Sequence, residues 1–409
     1  MFDIAAACLV ITAVMAWFNH RFVGLPTTIG VMAAALALSF ALVALNLLGF
    51  RDLYAYEVSL LASIDFSEVL MQGMLSLLLF AGAMHVDLSE LRTYRWPVGA
   101  LAVAGTVAST LLIGFALWAI LPHTGRSLPL VWCLLFGALI SPTDPIAVMG
   151  ILKTAGVPRS LEVVISGESL FNDGMGVVIF ALILGMLASG EPPTLAHGAA
   201  LLAQEAGGGI VFGLALGYVT YRMLRSIDSY EEEVLITLAA VLGGYALASR
   251  LHVSGPLAMV VAGLIVGNHG RALAMSVRTR RYLDMFWELV DSILNALLFV
   301  LIGLEVVLVA YSPGVAVASF AAIAITLAAR LVTVGAPVAA MGHAFGLPPR
   351  SWAVLTWGGL RGGISVALAL TLPAGAERDL VLALTYSVVV FSILVQGLSI
   401  GRVARRAAA

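Results

Sequence analysis

Hydrophobic and polar positions alternate coarsely along this chain, as long apolar runs closed by short polar connections. Runs long enough to cross roughly 30 Å of hydrocarbon fall at about 2–19, 28–48, 66–86, 97–120, 130–152, 161–189, 200–224, 232–249, 254–269, 283–309, 314–341, 351–373 and 379–401. The pattern predicts an all-α polytopic membrane protein with thirteen transmembrane helices. The seventh run opens among Gln204, Glu205 and three glycines, and the ninth is short. The first run carries a single charged side chain, Asp3, and lacks the basic leader of a signal peptide, so it reads as a span.

The basic residues test that count independently, because cytoplasmic connections carry an excess of Lys and Arg. Odd-numbered connections and the segment after the last span hold Arg21; Arg92 and Arg95; Lys153 and Arg159; Arg222 and Arg225; Arg271, Arg278, Arg280 and Arg281; Arg350; and Arg402, Arg405 and Arg406, 15 in all. Even-numbered connections hold Arg51, Arg126, Arg250 and Arg378, only 4. A missing or invented span would scramble this alternation. The bias predicts an outside N-terminus and a cytoplasmic C-terminus in a multi-pass protein of a bacterial cytoplasmic (inner) membrane.

Thirteen spans divide into two six-helix repeats of inverted topology, at about 1–189 and 230–405, joined by a linker helix at about 200–225. The whole chain, 1–409, then forms one transmembrane transporter domain. Such repeats place interrupted helices in corresponding positions, and two interruptions are visible. Ser141-Pro142-Thr143-Asp144-Pro145 breaks the fifth span, and Gly358-Gly359-Leu360-Arg361-Gly362-Gly363 breaks the twelfth.

Composition narrows the class further. Hydrophobic residues make up 61% of the chain and charged residues 11%, against about 25% charged in soluble domains; the mean hydropathy is +1.05. The net charge of −2 and the scattered basic clusters give no signal for nucleic acid, and membrane lipid is the surrounding partner. Cys8 and Cys133 each lie in an apolar run, which supports neither a disulfide framework nor a thiolate metal site. No His, Cys, Asp or Glu spacing resembles a transition-metal site, so no cofactor and no enzymatic chemistry are expected.

An ionisable side chain at mid-membrane costs roughly 2.5–3.5 kcal/mol even on a lenient scale, so each one is a functional candidate. The candidates are Asp144, Glu168, Asp173, Arg330 and Arg361, with Glu205, Asp291 and Glu305 nearer helix ends. Asp144 sits between two prolines, which remove backbone donors and free carbonyls such as that of Thr143 to face a hard cation. A proline kink with a hydrogen-bonded aspartate is the plainer reading. In the sixth span, Ser169 and Asp173 share one helix face and Glu168 and Asn172 the adjoining one. A hydroxyl and a carboxylate can hold a dehydrated cation. Desolvation favours the protonated form of a carboxylate, so proton and cation compete for one oxygen, and competition at an alternately exposed site suffices for coupled exchange. Arg330 needs a carboxylate partner, for which Glu168 is the choice, or else it snorkels to the cytoplasmic edge. Arg361 offsets either the negative ends of broken helices or Asp144 itself. Glu231, Glu232 and Glu233 read as a solvated helix start, and Asp284, Glu288 and Asp291 as a polar stripe or a funnel. His85 and His252 are candidates for pH sensing.

These three motifs, Ser141-Pro142-Thr143-Asp144-Pro145, Glu168-Ser169-Leu170-Phe171-Asn172-Asp173-Gly174 and Gly358-Gly359-Leu360-Arg361-Gly362-Gly363, resemble those of the monovalent cation/proton antiporters that include the NhaP antiporters and animal Na⁺/H⁺ exchangers. The resemblance covers essentially the whole chain and implies the NhaA/NhaP-like antiporter fold. It implies a homodimer, with core helices at about 97–189 and 314–401 and dimerisation helices at about 2–86 and 232–309. It implies that Asp173 carries ion and proton, with Na⁺ at Asp173, Thr143 and Ser169 and with Asp144 acting through water. Asn172 would be the neutral partner associated with electroneutral exchange, and Glu168 with Arg330 a structural ion pair. Some NhaP relatives place a glutamate in the third helix, where Phe80-Ala81-Gly82-Ala83-Met84 has no carboxylate. The sequence runs eight residues past Gly401, so the long regulatory tail of animal exchangers is not expected.

The function expected is exchange of cytoplasmic Na⁺ or Li⁺ for H⁺, with K⁺ as the competing cation. A cation channel is the second reading, but no ring-forming or filter-like loop is visible. A membrane sensor is the third.

Overall fold

The computed structural model describes residues 2–48, 73–189, 200–201, 203–305 and 312–408, and among these every regular element is helical. Among the described residues, eight helices are long and apolar enough to cross a membrane: Ala6–Val23, Thr27–Leu45, Arg95–Thr124, Arg159–Leu187, Tyr230–Arg250, Val277–Glu305, Pro313–Met341 and Ala376–Ala407. Leu75–Met84, Leu130–Ile140 and Gly255–Gly270 are shorter apolar helices. Residues 66–72 of the expected third span lie outside the described residues. The expected linker is helical from Ala203, first as a π-type turn and then as Gly208–Leu224.

Local chemistry sets several helix starts. Ser254 and Ser312 accept backbone N–H bonds from Leu257 and Val315, each at 3.3 Å, and a proline follows within two residues of each cap. A capping hydroxyl satisfies a donor that would otherwise face hydrocarbon, and proline has no such donor to lose. Small residues let backbones approach where no water separates helices. At Gly137 an added Cβ would lie 2.4 Å from the carbonyl oxygen of Thr110, so Leu130–Ile140 packs tightly on Thr106–Ile120 there.

Among the described residues, two helices are interrupted by non-helical segments. Leu130–Ile140 stops at Ser141 and the chain resumes helix at Ile146–Ala155. Ser351–Trp357 stops at Gly358 and resumes at Gly363–Leu370. The interruptions cross, since the Asp144 backbone N–H donates to the Leu360 carbonyl at 2.8 Å. Short π-helical segments, Leu331–Gly335 and Ser392–Gly397, lie on neighbouring helices, a distortion common next to functional sites.

The acidic start of Tyr230–Arg250 is not wholly solvated. Glu231 and Glu232 are exposed, but Glu233 is buried on the face it shares with Thr237, whose hydroxyl accepts from Trp287 Nε1 at 3.2 Å. That face packs against Val277–Glu305, which begins six residues earlier than the apolar run suggested.

Candidate functional site

The site grows from the midpoint of the Arg159–Ser189 helix, where Glu168, Ser169, Asn172 and Asp173 are all buried. Arg330, the last residue of Pro313–Arg330, reaches across to Glu168. Its Nη1 donates to Oε1 at 2.5 Å and its Nη2 to Oε2 at 2.8 Å. The guanidinium also donates to the Leu355 carbonyl, at 3.1 Å from Nη2 and 3.3 Å from Nε. Gly359 makes room for it, because a Cβ there would lie 2.5 Å from Arg330 Nε. Four of the pair's charge-assisted bonds are therefore satisfied inside the protein, as a buried ion pair requires.

Asn172 links this pair to the first interruption. Its amide donates to Glu168 Oε1 at 3.3 Å and to the Thr143 hydroxyl at 2.9 Å, and its Oδ1 accepts from the Thr143 backbone N–H at 3.1 Å. The Thr143 hydroxyl lies 3.0 Å from that of Ser169. Thr143 thus has its backbone and side chain oriented by one helix turn of the neighbouring span.

Arg361 lies in the second interruption and points into the first. Its Nη1 donates to the carbonyls of Ser141 at 2.6 Å and Pro142 at 2.9 Å, and its backbone N–H donates to Ser392 Oγ at 2.8 Å. The carbonyls released where Leu130–Ile140 ends therefore meet a buried positive charge, which suits the negative end of a helix. Asp144 faces Gly362, where an added Cβ would lie 2.4 Å from Asp144 Oδ2.

Asp144 and Asp173 both line a cavity of about 440 Å³. Thr143, Ser365, Asn295, Asp291 and Glu288 line it too, and it runs on to His85, Asp87, Glu90, Arg159 and Glu162. Arg159 pairs there with Glu90 at 2.9 Å and with Glu162 at 2.8 Å. Asp87 caps the short helix Leu88–Thr93, accepting from the Ser89 N–H at 2.7 Å. The bond from the Ser89 hydroxyl, then that from its backbone, holds the Asp87 carboxyl below its usual range. His252 lies away from this cavity in a turn with φ of 54°.

The residues that sequence reasoning underrated are on Val277–Glu305. Glu288 and Asp291 belong to the cavity, whereas Asp284 pairs with Arg271 outside it. The available signal was the Asp291–Asn295 pair at i and i+4 inside a largely apolar stretch. Glu305 is also buried, accepting a hydrogen bond from the Tyr386 hydroxyl. No group of three or more His, Cys, Asp or Glu side chains suited to a metal occurs among the described residues.

Membrane-crossing helices whose two unwound segments meet beside buried carboxylates form the architecture of a secondary ion transporter. The chain belongs to the sodium/hydrogen exchanger family, whose transmembrane family model matches residues 9–406. It is 55% identical over 410 residues to the Na⁺/H⁺ antiporter NhaP of Pseudomonas aeruginosa, covering 99% of this chain and 97% of that protein. It is 38% identical over 342 residues to the Na⁺/H⁺ antiporter NhaH of Halobacillus dabanensis, covering 82% of each. Its fold matches the structure of the sodium proton antiporter MjNhaP1 from Methanocaldococcus jannaschii with a TM-score of 0.76, at 20% identity, over 98% of this chain and 96% of that one.

Proposed function

We propose that this protein exchanges cytoplasmic Na⁺ or Li⁺ for H⁺ across the inner membrane, electroneutrally and one for one, by alternating access. The observation that carries the reading is the buried Asp173 carboxylate, which lines the cavity beside the crossed interruptions with the neutral Asn172 as its neighbour. A cation at Asp173 draws on Ser169 and Thr143 oxygens, with Asp144 acting through water. A proton arriving at Asp173 removes the charge that holds the cation. Glu168 and Arg330 serve as a structural pair, and Arg361 compensates the first interruption. K⁺ is the competing cargo in the same site.

The Na⁺/H⁺ antiporter names of the relatives support Na⁺ as the ion. The alternation of basic residues supports an outside N-terminus, so that the cavity mouth near Asp87, Glu90 and Arg159 opens to the cytoplasm. The proposed organisation is a homodimer in which the helices at about 97–189 and 314–401 move against those at about 2–86 and 232–309, built from two inverted repeats.

Proton movement in everted vesicles after addition of Na⁺, Li⁺ or K⁺, repeated under an imposed membrane potential, tests this. Cation-dependent proton flux insensitive to the potential is the expected result. Cation flux without proton movement would favour a channel instead.

A further inference from the structure

Val277–Glu305 turns one face toward the interruptions, with Glu288, Asp291, Asn295 and Leu298 spaced by three, four and three residues. Such spacing keeps side chains on a single helix face. Leu298 fixes its direction, because a Cβ on Gly363, just past the second interruption, would lie 2.0 Å from Leu298 Cδ2. Asp291 lies seven residues earlier, about 10 Å along the axis, in the same cavity as Asp144 and Asp173. Its carboxylate and that of Asp144 are close enough to interact electrostatically.

Asp291 is held in place rather than loose. Buried Asn295 donates from Nδ2 to Asp291 Oδ1 at 3.1 Å and to its backbone carbonyl at 2.9 Å. Among the described residues, every ion pair is made by other groups. The helix that carries Asp291 is joined at its far end to Thr27–Leu47, where Ser39 Oγ donates to the Gly303 carbonyl at 3.0 Å. It is thus tied to a different part of the molecule from the helices that carry Asp144 and Asp173.

Resting on the exchanger reading above, we propose that Asp291 is an additional ligand, borne by the stationary helices, for a partly hydrated monovalent cation reaching Asp173 from the cavity. A 440 Å³ cavity leaves room for an ion and its waters between Asp291 on one wall and the Asp144 and Asp173 carboxylates on the other. When the core helices move, Asp291 stays behind. The site then presents three carboxylates to one side of the membrane and two to the other, so that affinity differs between the two faces.

The test is the apparent KM for Na⁺ at each face, measured as initial proton flux in everted and in right-side-out membrane vesicles. Asp291→Asn and Asp291→Ser are compared with wild type after insertion has been verified by yield and monodispersity in detergent. Both variants are expected to raise KM about 5- to 10-fold at the cavity face, up to about 1.4 kcal/mol, and by less than about twofold at the other. Asp291→Glu, which keeps the charge, is expected to recover most of the loss. An unchanged KM at the cavity face, or equal rises at both faces, in inserted protein would overturn the assignment while leaving the exchanger reading intact. Absence of coupled flux in the wild type would instead overturn the exchanger reading and this assignment with it.

Discussion

At the scale of single residues, the site separates carboxylates by partner. Glu168 is saturated by Arg330 and Asn172, whereas Asp173 faces the cavity. Asp173→Asn is therefore expected to abolish cation-dependent proton flux while leaving yield and insertion near wild type. Residual exchange above a tenth or so of wild type would contradict a titrating role for this carboxylate. Glu168→Ala leaves Arg330 buried without its anion, a loss of about 3–5 kcal/mol, and is expected to lower folded yield and thermal midpoint in detergent. Asn172→Asp removes the amide that donates to both Thr143 and Glu168 and places a negative charge beside the latter. A stability loss of about 1–3 kcal/mol is expected, read as the same thermal shift. The Glu168–Arg330 choice was legible from the sequence because burial leaves a guanidinium few options. The orienting role of Asn172 was not, because an amide's partners depend on which loop folds against it.

At the scale of elements, the two interruptions could be read directly from Ser-Pro-Thr-Asp-Pro and from paired glycines, since proline and glycine act on the backbone whatever surrounds them. The cavity wall on Val277–Glu305 was not legible. Hydropathy starts that span near 283, which makes Asp291 seem a helix-end residue. The helix in fact begins at Val277 and runs through Arg278 and Arg281, both exposed, so Asp291 sits four turns deep. The short helix Leu88–Thr93 at the cavity mouth allows a separate test. Asp87→Ala is expected to fray it, costing about 1 kcal/mol, visible as faster amide hydrogen exchange at Ser89 and Glu90. Because the carboxyl of Asp87 is held below its ordinary value of 3.8, the cap is fully present above that value and is lost only as pH falls through the lower, folded-state pKa. The cap therefore persists throughout the physiological range.

At the scale of the whole molecule, the all-helical membrane class was the most legible property, because long apolar runs form membrane-crossing helices whatever packs against them, as in the eight such helices among the described residues. Helix packing was less so, since small residues permit many close approaches and only the fold selects one. Competition between proton and cation predicts that the apparent KM for Na⁺ falls as pH rises, approaching tenfold per pH unit where Asp173 is mostly protonated. Fluxes measured at several pH values would check this, and a KM independent of pH would exclude a shared site.

The contact of Arg361 with the Ser141 and Pro142 carbonyls bears on leakage as well as on structure. With Glu168 paired to Arg330 and the Arg361 side chain engaged by those carbonyls, neither arginine is hydrogen-bonded to Asp173, so on the proposed mechanism the idle translocating unit gains a negative charge that either cargo removes. Moving a bare charge through a low-dielectric interior costs several kcal/mol, so the proposed mechanism holds the unloaded carrier on whichever side it last faced. On that mechanism, electrostatics opposes slippage.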